Sequence, residues 1–135
     1  LDVRCVDPID WLNPSARDPE MSIWMRTAAR VGDDPRLHQA LLAYMSDCFL
    51  IDVALIAHGR TYLDHSLQIA SLDHAIWFHQ PLRADQWLLQ HTSAKYIGGG
   101  RGLSQGQFYS QDGRLVATTM QESLMRQRPS RDSAK

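Results

Sequence analysis

Residues 86–125, QWLLQHTSAKYIGGGRGLSQGQFYSQDGRLVATTMQESLM, decide the fold. Three strand-like runs, 86–97, 103–110 and 114–125, are separated by Gly98-Gly-Gly100 and by Asp112-Gly113. Asp-Gly between two such runs is a strong hairpin signal, because both residues tolerate the positive φ of a tight turn. Strands joined in sequence by hairpins pair antiparallel. A fourth run, 67–80, precedes them and is closed by Pro81, which cannot donate to a strand ladder. It reads as one long strand.

Upstream of residue 67 the period changes. Asp33-Asp34-Pro35 is a helix start: Asp34 can accept from the first free amides, and Pro35 suits the first helical position. Leu37, Ala40, Leu41, Tyr44, Met45, Cys48 and Phe49 then recur at helical spacing. The segment stays apolar to His58, and Gly59 is a natural stop. One long helix is predicted, any break in it falling near Phe49. Residues 1–6 and 21–28 read as further strands. Residues 7–20, with Pro8, Pro14 and Pro19, read as a surface loop with Trp11 and Leu12 tucked under it. The class is α+β, a helix packed across an antiparallel sheet.

The chain has 135 residues, the length of a single domain. Its 44% hydrophobic and 21% charged content is that of an ordinary globular protein. The net charge of -1 gives no attraction to nucleic acid or to a membrane surface. No apolar run approaches the ~20 residues of a membrane helix. Cys5 and Cys48 lie in apolar stretches and read as buried free thiols. The domain is expected over 1–127, followed by a polar, disordered tail over 128–135. The chain opens at Leu1 within a predicted strand, which reads as a boundary inside a longer protein.

Several side chains could carry chemistry. Asp47 lies beside Ala40, Tyr44 and Ile51 on the helical wheel, at the margin of the apolar stripe. On spacing alone it is a helix-end carboxylate facing solvent. Gln121 shares a strand face with Leu115, Ala117, Thr119, Ser123 and Met125. Buried there it needs partners, since an unpaired amide costs about 1–3 kcal/mol. Ser71 falls on a face with Ile69, Asp73, Ala75, Trp77 and His79. The chain has no Gly-x-Ser-x-Gly elbow, so a serine nucleophile of the α/β-hydrolase kind is not indicated. Its six histidines show no His-x-x-x-His spacing and its cysteines no Cys-x-x-Cys, so no metal site is expected. His74 could act as a general base, though a half-buried, hydrogen-bonded ring is the commoner role. The glycine-rich turn at 98–102 does not open a helix, so it does not read as a phosphate cradle.

Taken together, Ala70-Ser-Leu-Asp-His-Ala-Ile-Trp-Phe-His79, Pro81, Trp87-Leu-Leu89, Arg101-Gly102, Gly106-Gln-Phe108, Asp112-Gly113-Arg-Leu-Val-Ala117 and Gln121-Glu122 resemble the type II, TesB-like acyl-CoA thioesterases. Ser46-Asp47 and His58-Gly59 fall in register with the same family. The resemblance implies a hotdog fold, a long helix wrapped by a curved antiparallel sheet. It implies that this chain is the C-terminal repeat of a double hotdog, partnered by an N-terminal repeat and expected to self-associate. It implies hydrolysis of acyl-CoA to fatty acid and coenzyme A, with no cofactor. The family's catalytic Asp, Thr or Ser, and Gln fall on Asp47, Ser71 and Gln121. Coenzyme A phosphates would meet basic side chains, and Arg83, Lys95 and Arg101 are candidates by charge. Three other readings remain: a non-catalytic acyl-CoA-binding domain, a purely structural half, and a hotdog hydratase or dehydratase using His74 or His79. The chain ends Ser133-Ala-Lys135, not the Ser-Lys-Leu peroxisomal address. A cytoplasmic location is expected, with a peroxisomal one as the alternative.

Overall fold

A computed structural model describes residues 1–129. The expected tail lies outside the described residues beyond position 129. Strands β1 (Asp2–Cys5) and β2 (Glu20–Arg26) precede helices α1 (Pro35–Ser46) and α2 (Asp52–Ile56). Strands β3 (Leu67–Ser71), β4 (Ala75–Phe78), β5 (Leu88–Gly98), β6 (Arg101–Ser110) and β7 (Leu115–Gln127) follow. They form one antiparallel sheet in the order β1-β2-β5-β6-β7-β3, with β4 also paired to β7. Both predicted hairpins are present. Gly99 and Gly100 take φ of 59° and 72° between the paired residues Gly98 and Arg101, a turn that side chains with a Cβ enter only with strain.

The predicted single helix is two. Asp34 caps α1, its Oδ1 accepting from the Arg36 amide at 2.9 Å, with Pro35 just inside. The helix then stops, and Phe49 sits at φ 68°, the left-handed region where a bulky residue is held only by its surroundings. Here the ring lies against Trp11, centroids 6.5 Å apart, and Gln90 Nε2 donates to the Cys48 carbonyl at 3.2 Å. The helical stripe is also rotated from the one expected. His38, Leu42, Met45 and Ser46 are buried, whereas Leu37, Ala40 and Tyr44 face outward. Of the loop residues, Trp11 packs on Phe49 and Tyr62, but Leu12 is exposed.

The core lies between α1, α2 and the inner face of the sheet. It gathers Met21, Ile23 and Met25 of β2, Leu42 and Met45 of α1, Val53 of α2, and Phe108, Val116 and Ala117 of β6 and β7. Full burial of a side chain such as Phe108 contributes roughly 1.5–3 kcal/mol. Cys5 and Cys48 are free and partly buried, and burial pushes both thiols up, away from reactivity. Among the described residues no helix is long and apolar enough to cross a membrane.

The predicted strand 67–80 is interrupted, and the interruption shapes the site. Ser71 pairs with Ser123, yet Ala75 pairs with Met120. Four steps along one strand therefore match three along β7, which is a bulge of one residue. Asp73 Oδ1 bridges the gap by accepting from the Glu122 amide at 2.7 Å. Because side chains alternate, one extra residue exchanges the two faces. Ser71 lies on the inner face before the bulge, and His74 and Ile76 reach it after. The uninterrupted alternation that grouped Ser71 with Ala75 and Trp77 does not hold.

Helix α2 rests directly on β6. A Cβ added at Gly102 would lie 2.8 Å from Ala54 Cβ, an atom with no torsional freedom to retreat. Gly102→Ala is expected to destabilise the fold by about 1–3 kcal/mol, read from the urea midpoint. Asp52 on α2 is buried, its Oδ1 without a hydrogen-bond partner, and burial raises its pKa to about 6. Its neutral form is the one the fold favours, so stability is highest below about pH 4 for this group and falls as pH rises through 6. Asp52→Asn should remove that fall, of order 3 kcal/mol, when denaturation midpoints are compared from pH 4 to 7.

Candidate active site

Three elements converge on β7. Asp47 is the C-cap residue of α1, with αR backbone and its amide bonded to the Met45 carbonyl. The chain departs from the helix immediately after it, which leaves the carboxylate at an exposed corner. Ser71 is the last residue of β3, directly before the bulge. Gln121 stands mid-strand on β7, paired with Ser104 of β6 and 0% exposed. These residues are separated along the chain, yet their side chains form one hydrogen-bonded line. Gln121 Nε2 donates to Ser71 Oγ at 3.0 Å, and Ser71 Oγ donates to Asp47 Oδ1 at 3.3 Å. Gln121 Nε2 also reaches Ser123 Oγ at 3.3 Å. The line runs from a fully buried amide to a carboxylate at the surface, so one end is held rigidly and the other is open to a ligand.

The line extends past Gln121 through the exposed His74 to the buried Ser46. His74 Nδ1 lies 2.7 Å from Gln121 Oε1, and His74 Nε2 lies 2.8 Å from Ser46 Oγ. Ser46 is fully buried and also donates to the Ala43 carbonyl at 2.8 Å. From sequence, His74 reads as a candidate general base or a half-buried, hydrogen-bonded ring with no partner named for it, and Ser46 is given no role. The one-residue bulge that turns His74 inward has no residue-type signature. The signal for Ser46 was its position, next to Asp47 and one turn on from Leu42.

The basic candidates are scattered. Arg83 is committed elsewhere: it forks onto Asp85 with two contacts of 2.9 Å, meets Asp33 at 2.6 Å and donates to the Val31 carbonyl at 3.1 Å. The Arg83 guanidinium and the Val31 amide hold the Asp85 carboxyl well below the usual carboxylate range. Lys95 is exposed at a bulge in β5. Arg101, half exposed and 3.5 Å from Glu122 Oε1, lines a cleft of about 540 Å³ with Leu55, Leu67, Ile97 and Met125. Among the described residues no three His, Cys, Asp or Glu side chains are grouped as metal ligands.

Comparison with known proteins agrees with this architecture. The chain is 43% identical over 107 residues to acyl-CoA thioesterase 2 of Haemophilus influenzae, covering 79% of this chain and 37% of that protein. The crystal structure of an acyl-CoA thioesterase II TesB2 from Mycobacterium marinum superposes with a TM-score of 0.76 at 43% identity, covering 96% of this chain and 49% of that one. A conserved protein of unknown function with a hot dog fold from Alicyclobacillus acidocaldarius gives a TM-score of 0.72 at 25% identity, covering 95% and 46%. The hotdog fold expected from sequence is therefore present. The chain spans about half the length of these relatives or less, and matches their C-terminal half. The sequence profile described as "Acyl-CoA thioesterase" matches residues 13–124. With a helix-end carboxylate, a strand hydroxyl and a buried strand amide joined on a hotdog frame, and with that profile spanning most of its length, this chain belongs to the acyl-CoA thioesterase family.

Proposed function

We propose that this chain is the C-terminal domain of a thioesterase that hydrolyses acyl-CoA with a water positioned by Asp47, Ser71 and Gln121. The observation that carries the reading is the hydrogen-bonded line Gln121–Ser71–Asp47, drawn from three separate elements. Asp47 accepts a proton from the water as its oxygen attacks the thioester carbon. Ser71 and Gln121 hold the water and the carboxylate in the attacking geometry. The tetrahedral intermediate then collapses, the C–S bond breaks, and the proton passes to the departing thiolate. Fatty acid and coenzyme A result. Water and side chains supply every step, so the reaction drawn needs no cofactor.

The hydratase reading is less well supported. Both ring nitrogens of His74 are engaged, one by Gln121 and one by Ser46, which leaves neither to take a proton from substrate. His79 Nε2 is likewise 2.8 Å from Thr118 Oγ1. For coenzyme A phosphates, Lys95 and Arg101 are the better candidates of the three, because the charge of Arg83 is already balanced by Asp33 and Asp85.

The N-terminal repeat is the partner this reading requires. Asp47 and Ser71 are exposed here, and so are two apolar side chains of the same outer segment, Leu72 just after β3 and Trp77 on β4, at 50% and 52%. Covering that edge would exclude bulk water from the carboxylate and bury apolar area. Self-association of the whole protein and a cytoplasmic location belong to the same reading.

The test is free-thiol release from acyl-CoAs of graded chain length by the whole natural protein. Asp47→Asn should lower kcat by about 10²–10⁴-fold, and Gln121→Ala by a smaller factor. Absence of thiol release at every chain length, or an undiminished rate in Asp47→Asn, would sink the proposal.

A further inference from the structure

We propose that His74, steadied by Ser46, is a positioning residue that fixes which end of the Gln121 amide faces Ser71. This rests on the hydrolytic reading above and adds to it a part that neither the family match nor the sequence motifs assign.

The argument starts at the carboxylate. An ionised Asp47 only accepts hydrogen bonds, so the 3.3 Å contact from Ser71 must use the one proton on that hydroxyl. Ser71 Oγ then offers only lone pairs to Gln121, and the amide must present Nε2 to it, as it does at 3.0 Å. That orientation sends Oε1 the other way, to His74 Nδ1 at 2.7 Å. An amide oxygen has no proton to give, so Nδ1 must carry one. Nε2 of the neutral ring is then an acceptor, and Ser46 Oγ lies 2.8 Å from it with a proton it can turn from the Ala43 carbonyl.

All donors in the line therefore point one way, from His74 through Gln121 and Ser71 to Asp47. A primary amide has two nearly isosteric ends, and a flip would set an N–H of Gln121 against the N–H of the ring. A ring held in the Nδ1–H tautomer, with Ser46 donating to Nε2, opposes that orientation. Without it the amide could present its oxygen to Ser71, which would then turn its proton from Asp47 to Gln121, and the water-holding geometry would be lost. Both partners of the ring are fixed, Ser46 and Gln121 each being 0% exposed, and the bulge at 72–74 turns the exposed His74 toward them.

The experiment is a double-mutant cycle on thiol release in the whole natural protein, with thermal melts on every variant. His74→Ala is expected to lower kcat by about 10–100-fold while KM changes little, the effect of misplacement rather than lost binding. In a Gln121→Ala background the same change should cost no more than about twofold, because the group it orients is gone. Ser46→Ala, which leaves the ring in place, should give a smaller kcat loss that is equally silent in Gln121→Ala. If the His74→Ala and Gln121→Ala losses multiply, the ring acts on water or substrate directly and the proposal is overturned. It is also overturned if both His74→Ala and Ser46→Ala turn over at the wild-type rate. Failure of the hydrolytic reading shows separately, as undiminished thiol release in Asp47→Asn and Gln121→Ala.

Discussion

A primary amide buried in the middle of a sheet must have its hydrogen bonds met by neighbours, and here Gln121 draws those neighbours from across the molecule. Left unpaired, it would cost about 1–3 kcal/mol. Its nitrogen takes Ser71 and Ser123, and its oxygen takes His74, which in turn reaches Ser46 on α1. One side chain thus ties the last strand to the outer strand pair and to the end of the first helix. Gln121 and Ser46 are fully buried, where a low dielectric strengthens their bonds, whereas Asp47, Ser71 and His74 are exposed.

Much of this was legible in the sequence. The hairpins at Gly98–Gly100 and Asp112-Gly113 follow from turn chemistry, which acts over a few residues. The start of α1 follows from Asp34 and Pro35 for the same reason. The face of β7 carrying Thr119, Gln121 and Ser123 follows from simple alternation. Asp47, Ser71 and Gln121 were singled out by their residue types and by family resemblance, and the structure places them in hydrogen-bond contact.

What was not legible depends on contacts distant in sequence. Nothing local marks Phe49 as left-handed; the residue is neither Gly nor Asn, and it is held there by Trp11 and by Gln90 on a strand forty residues on. The helical stripe was misjudged because Leu37 and Tyr44 share the period of Leu41 and Met45 yet lie on the side away from the sheet. Periodicity reports that a helix has an apolar side, not which part of it the sheet will cover. The network role of His74 was missed because an unbroken strand would have pointed it away from Ser71.

The bulge between Ser71 and Ala75 makes the site depend on how that stretch pairs with β7 as well as on which residues it holds. Leu72 and Asp73 fill the turn, and neither side chain belongs to the polar line. With every residue kept but the bulge straightened, the imidazole would fall three places after Ser71 and swing to the outer surface, with Asp47, Ser71, His74 and Gln121 all still spelled out in the sequence. In divergent relatives, the pairing at this point is therefore as telling as residue identity: a copy can keep every letter of the constellation and lose its assembly where the bulge is absent.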